Sequence, residues 1–159
     1  MSHQADGLLR TDRHYPLEDP PGAVWAALES VQDYPRWWPW LRRFDARALS
    51  AGERWRARIR VPMPWSLRFE LALLDVEAPT TVRAAVSGDI EGTATVSVAP
   101  DGTGSTIRLV SALAPRHRLL AAVNRVVPSV SRRLHDHVVD TAFAQFADRD
   151  RPGGAAADR

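Results

Sequence analysis

The chain predicts an α+β domain: a seven-stranded, curved antiparallel sheet, two short helices after its first strand, and one long C-terminal helix lying across the sheet. Three observations carry this. Residues 9 to 113 read almost throughout as short alternating strands separated by Gly, Pro and Asp turns. The one interruption, from Asp19 to Trp40, holds helix starts and a crowd of aromatic rings. From about Arg116 to Ala147 the apolar period changes from two to 3.6. There Leu119, Leu120, Val123, Val126, Val127, Val130, Leu134, Val138 and Ala142 share one arc, opposite Arg132, Arg133, Asp136 and Asp140. An apolar helix following a run of strands needs a sheet to cover, and the sheet needs the helix.

In chain order, residues 1–8 read as a loose polar tail, and Leu9 to Leu17 as a first strand with Leu9, Thr11, Arg13 and Tyr15 on one side. Asp19 can cap a helix whose first turn accepts Pro20 and Pro21, since their missing N–H groups are not needed there. Val24, Trp25, Leu28 and Val31 give that helix its apolar face, and Asp33 starts a second. Tyr34-Pro35-Arg36-Trp37-Trp38-Pro39-Trp40 follows. Its two prolines exclude a strand interior or a long helix, so it must be an irregular connection with some of its four rings covered.

A weak strand is expected over Arg43 to Ser50, with Phe44, Ala46 and Ala48 in phase. The clearest alternation comes next: Trp55, Ala57, Ile59 and Val61 against Arg54, Arg56, Arg58 and Arg60, ended by Pro62-Met63-Pro64. Leu67, Phe69, Leu71 and Leu73 continue the inner face, and a bulge at Leu73-Leu74 hands it to Leu74 and Val76. Three further strands place Val82, Ala84 and Val86, then Ile90, Ala94, Val96 and Val98, then Ile107, Leu109 and Leu113 inside. Short turns between them mean an antiparallel meander with one wet face. Every mid-strand Arg is then expected to point away from the helix. Pro128 predicts a kink in the final helix near Asn124 to Pro128 rather than a break into two helices, because the apolar arc runs through the proline in phase. Residues 148–159 read as a disordered tail, leaving one domain over 9–147.

The totals narrow the function. At 159 residues, 45% hydrophobic and 25% charged, the chain is an ordinary globular domain. No apolar run approaches a membrane span, and the first ten residues lack a signal-type apolar block, so a cytoplasmic protein is expected without stable membrane insertion. Cysteine is absent, which excludes disulfides and thiolate metal sites. The pI near 9.9 does not signal nucleic acid. Formal net charge is only +2, and all 21 basic residues are Arg. They alternate with apolar residues rather than forming one basic face.

Most catalytic chemistries find no residues. His135 and His137, two apart on a helix, point about 200° from each other and cannot share a metal, and no metal is expected. There is no Gly-x-Ser-x-Gly elbow, and Gly102-Thr103-Gly104 reads as a turn rather than a phosphate loop. Glu70 and Glu91 fall on the outer face, which removes a paired-carboxylate site. What remains is the inner face. Its small residues Ala46, Ala57, Ala84, Ala94 and Gly92 leave volume that is either a cavity or space filled by Trp and Leu. His135 is the one ionisable side chain near that interior, flanked by Ser131 and Val139. It is either a half-buried histidine bonded to a hydroxyl or carbonyl, or an acid–base group reaching the cavity.

Several stretches together resemble a known family: Val24-Trp25, Tyr34 to Trp40, Gly52-x-x-Trp55, Gly88-Asp89-Ile90-Glu91-Gly92, and His135-Asp136. Their order is similar to that of the bacterial polyketide cyclase/dehydrase-type SRPBCC proteins of the START/Bet v 1-like superfamily, over residues 9–147. The resemblance implies a helix-grip fold and an apolar pocket between sheet and C-terminal helix for a lipid, polyketide or similar small molecule, with no cofactor. It leaves carrier, sensor and enzyme open; the inner-face reading favours a carrier or sensor whose ligand meets Trp38, Trp55, Phe69, Val86, Ile107, Leu109, Ser131, His135 and Val138. The alternative is a cyclase or dehydratase using His135 as general acid or base, with Tyr34, Ser111 or Ser131 as further polar groups. A monomer or weak homodimer is expected.

Overall fold

The computed structural model describes residues 8–61, 66–126 and 128–151. The chain runs β1 (Leu9–Leu17), α1 (Pro21–Glu29), a 3₁₀ turn (Val31–Asp33), α2 (Tyr34–Trp37), β2 (Leu41–Phe44) and β3 (Arg54–Arg60). It continues through β4 (Ser66–Glu77), β5 (Thr81–Gly88), β6 (Ile90–Asp101), β7 (Gly104–Pro115), α3 (Arg118–Val126) and α4 (Pro128–Ala147). The seven strands form one antiparallel sheet in the order β1-β7-β6-β5-β4-β3-β2. β1 therefore lies beside β7, and the segment holding α1 and α2 carries the chain from one edge of the sheet to the other. This is the helix-grip architecture. Among the described residues, no helix is long and apolar enough to cross a membrane.

Alternation sets the faces. Trp55, Ala57 and Ile59 of β3 are buried, as are Leu67 and Leu73 of β4, Ala84 and Val86 of β5, Val98 of β6 and Ile107 of β7. Glu70 and Glu91 lie outside, held by Arg54 and Arg116 at 2.7 Å each. On that outer face Arg43 stands opposite Arg58, and Arg58 opposite Arg68, across β2, β3 and β4.

Four local expectations need correction. The second strand is Leu41–Phe44, not Arg43 to Ser50. A register shift between Leu41 and Arg43 and the Asp45 carboxylate, which accepts the Arg56 N–H at 2.6 Å, end its pairing. The β4 irregularity does fall between Leu73 and Asp75, but Leu74 is the extra residue and is 45% exposed. Asp19 does not cap α1. Pro20 occupies the cap position without a side-chain bond, Pro21 lies in the first turn, and Arg149 takes the Asp19 carboxylate at 2.8 Å. Finally, Val126, placed on the apolar arc, is 77% exposed, whereas Val130, half exposed, still borders the space between sheet and helix.

At the position of the expected kink the C-terminal helix is instead divided in two. α3 ends at Val126 and α4 opens with Pro128, a position that needs no backbone donor. Val127 between them, residues 62–65 with the Pro62-Met63-Pro64 stretch expected to end β3, residues 1–7 and residues 152–159 lie outside the described residues. Arg149, assigned by sequence to the tail, is packed: its side chain is 4% exposed and its guanidinium lies 4.4 Å from the Phe146 ring centre.

Gly92 is required by close approach. It pairs with Val86 on one side and Leu113 on the other at φ +149°, and a Cβ there would stand 1.9 Å from the Ala112 carbonyl oxygen. That oxygen is backbone and cannot swing aside. Gly92→Ala should lower unfolding free energy by roughly 3 kcal/mol, read as a reduced urea midpoint at unchanged slope.

Candidate ligand cavity

The curl of the sheet and the straight run of α4 diverge, and an apolar hollow lies between them. Its larger lobe, about 420 Å³, is walled by Val61, Leu67 and Phe69 of the β3–β4 region, Leu109 and Leu113 of β7, Leu120 and Val123 of α3, and Leu134, Val138 and Phe143 of α4. A second lobe of about 280 Å³ continues toward the aromatic segment, bounded by Tyr34, Trp38, Phe44, Trp55, Val82, Val96 and Phe146. Trp40, Ile59, Phe69, Leu71, Ala142 and Phe143 border both.

The aromatic segment forms the closed end of the hollow. Tyr34 packs on Trp38, Phe44 and Trp55 at ring-centre distances of 4.9, 5.5 and 6.1 Å. Indole donors tie this end to α4 and the following turn of chain. Trp38 donates to the Ala142 carbonyl at 2.8 Å, Trp40 to Gln145 Oε1 at 2.7 Å, and Trp55 to the Ala48 carbonyl at 3.1 Å. The Tyr34 hydroxyl is committed to the Leu28 carbonyl, and its burial raises its pKa. It is therefore spent as a polar group for a ligand.

Of the residues proposed from sequence, Trp38 and Trp55 line the smaller lobe, Leu109, Ser131, His135 and Val138 the larger, and Phe69 both. Val86 and Ile107 line neither; at 6% and 0% exposure they belong to the packed core. Ala84 is likewise core at 7%. Trp40, Phe143 and Phe146 are walls that the sequence reading passed over. Phe143 and Phe146 lie three apart, one turn beyond Val139, and extending the apolar arc past Ala142 would have reached them.

The polar contacts gather where β1 meets α4. His135 Nε2 and Thr11 Oγ1 share a hydrogen bond of 3.0 Å. Arg13 reaches Asp136 at 3.1 Å and Asp140 at 3.2 Å, and the Tyr15 hydroxyl donates to Asp140 at 2.7 Å while its ring stacks on Phe143 at 4.1 Å. Arg13 thus corrects the expectation that every mid-strand Arg points away from the helix. Arg132 donates to the Arg10 carbonyl at 3.1 Å. Ser111, opposite Thr11 on β7, is 6% exposed, and among the described residues its hydroxyl has no partner. Among the described residues no three His, Cys, Asp or Glu side chains group closely enough to hold a metal.

Burial lowers the His135 pKa, opposed in part by the charge of Asp136. The ring facing the cavity is therefore a neutral hydrogen-bonding group at neutral pH.

The family model for polyketide cyclase/dehydrase and lipid transport matches residues 17–147. No curated protein matches the sequence. Among solved structures the chain is similar to a START superfamily protein from Mycobacterium smegmatis, with TM-score 0.69 and 13% identity over 88% of this chain and 95% of that one. It is similar to Ara h 8.0201 with TM-score 0.69 and 11% identity over 90% and 97% of the chains. A Thalictrum flavum norcoclaurine synthase point mutant, solved with a transition-state analogue, gives TM-score 0.60 and 11% identity over 94% and 100%. These likenesses establish the fold.

The histidine shift has a stability consequence. A folded pKa below the usual 6.5 means that the unfolded chain binds the proton more tightly. The contribution is fully present above 6.5 and is lost as pH falls through that value toward the folded pKa. Urea unfolding at about pH 7.5 and about pH 5.5 should show a smaller loss of stability for His135→Gln than for the parent.

Proposed function

The chain belongs to the polyketide cyclase/dehydrase and lipid transport family, and on that premise we propose that it binds a hydrophobic small molecule between sheet and C-terminal helices as a carrier or sensor. The observation that carries this reading is the two-lobed hollow, whose larger lobe has, among the described residues, only Ser131 and His135 as hydroxyl or ionisable side chains in its walls. An apolar cavity of this size gains by burying the hydrocarbon surface of a lipid or polyketide, at roughly 25 cal/mol per Å² removed from water. Trp38, Trp55, Phe69, Leu109 and Val138 supply that surface, and Ser131 and His135 offer orientation.

One observation favours a second reading. A neutral imidazole at the wall of a dry cavity is the protonation state a general base requires, which supports cyclisation or dehydration of a bound chain with His135 moving the proton. Against it, the walls supply no arginine to steady an enolate oxygen, and Tyr34 is already committed to a carbonyl.

Diphenylhexatriene, a hydrocarbon that fluoresces only out of water, tests the cavity. The parent should take it up saturably, and Val138→Trp, which fills the larger lobe from α4, should weaken uptake about tenfold with a thermal midpoint close to the parent's. Equal uptake by both proteins would reject the cavity as the binding site. For the second reading, a conversion lost in His135→Ala while probe affinity persists is the decisive result.

A further inference from the structure

The two lobes of the hollow have different walls, and the difference selects the ligand. Resting on the binding reading above, we infer that the preferred ligand is an alkylated aromatic: a flat ring system without ring hydroxyls seated in the smaller lobe, and an aliphatic chain running from it into the larger one.

The first ground is the sorting of rings. Tyr34, Trp38, Phe44, Trp55 and Phe146 wall the smaller lobe alone, and Trp40, Phe69 and Phe143 stand on the border. Past that border the larger lobe has, among the described residues, no phenyl, phenol or indole ring. Aliphatic side chains take their place, as at Leu67, Leu109, Leu113, Leu134 and Val138. A saturated chain gains only buried area from either kind of wall. An aromatic ring gains more from the ring-lined one, because the positive edge of one ring meets the negative face of another. The smaller lobe also has the size for it. A dry cavity of about 150 Å³ holds one benzene, so about 280 Å³ takes two fused rings.

The second ground is that these wall rings are pinned and their polar atoms spent. The indole N–H groups of Trp38, Trp40 and Trp55 go to Ala142, Gln145 and Ala48, and the Tyr34 hydroxyl goes to Leu28. Rings tethered in this way keep their positions when a guest enters, so little ordering cost falls on binding. Among the described residues no other polar side-chain atom belongs to the walls of the smaller lobe. A hydroxyl on the guest's ring would find no side-chain partner there and would be buried unpaired. The ring end is therefore bare hydrocarbon, and any polar substituent belongs on the chain, toward Ser131 and His135 in the larger lobe.

The experiment is displacement of diphenylhexatriene from the full chain at about pH 7.5 by 2-butylnaphthalene, by its saturated counterpart 2-butyldecalin, and by 6-butyl-2-naphthol. With each affinity divided by the compound's water–hexadecane partition ratio, the naphthalene should exceed the decalin about tenfold. In direct displacement the naphthol should bind about tenfold more weakly than the naphthalene. Phe44→Leu and Trp38→Leu, which keep the wall apolar, should each cut the naphthalene's advantage over the decalin about twofold or more. Phe44 is half-buried at the end of β2, so its variant carries the comparison if Trp38→Leu does not fold. Lengthening the butyl chain to hexyl should tighten binding about tenfold in the parent and less than about threefold in Val138→Trp. A decalin that equals the naphthalene on the partition-corrected scale would overturn the inference. So would a naphthol of equal affinity, an advantage untouched in the folded variants, or the same gain from the longer chain in Val138→Trp. Failure of the parent to take up diphenylhexatriene would instead remove the binding reading, and this inference with it.

Discussion

Phe146 holds the molecule in its shape. Its ring is 1% exposed, set edge-on to Trp37 at 5.7 Å and near-parallel to Trp38 at 6.4 Å. The Arg149 guanidinium covers it at 4.4 Å and is itself anchored by the Asp19 carboxylate just after β1. Aromatic and cation–π contacts of this kind are each worth about 1 kcal/mol beyond simple burial. Together they clamp the last turn of α4 to the segment that joins the two edges of the sheet. With that end fixed, α4 can only run as a rod over a surface that curls away beneath it. The hollow is the space between a straight object and a curved one.

Charge is sorted with respect to that space. The outer face carries arginines with Glu70, Glu91 and Asp75 among their partners. The β1–α4 edge carries Arg13, Asp136 and Asp140, closed on one another. Among the described residues the walls of the hollow carry dipoles rather than ions, including the Trp38 and Trp55 N–H groups tied to carbonyls and the His135 ring bonded to the Thr11 hydroxyl. The low-dielectric hollow is therefore built without placing an unpaired ion inside it.

Much of the fold could be read from the chain, for identifiable reasons. Trp55, Ala57, Ile59 and Val61 against four arginines is a period that no helix reproduces, and the proline at 128 marks the division of the C-terminal helix. The errors also have causes. Phe44, Ala46 and Ala48 alternate as a strand would, yet Asp45 captures a backbone N–H of β3 and ends the pairing. Arg13 was placed outward because its partners lie more than 120 residues away, beyond the reach of local pattern. Val86 and Ile107 face the right way, but alternation tells only which side of a sheet a residue occupies. It does not tell how far along the strand the helix lifts off, and that distance separates core from cavity wall. Ser111 could be named from its inward phase; that it stands opposite Thr11 required the register against β1.

The arginine ladder on the outer face bears on how this sheet meets another. Arg43, Arg58 and Arg68 stand in file across β2, β3 and β4, with Arg43 on the terminal strand of the sheet. Like charges facing one another across strands cost stability, so the file is a standing expense of the folded state. What it purchases lies at the rim. β2 is only four residues long, with an irregular register and consecutive guanidinium groups at Arg42 and Arg43. A foreign strand seeking its free backbone groups would have to bring its own acids. This border of the sheet is thereby made inhospitable to fibrillar growth.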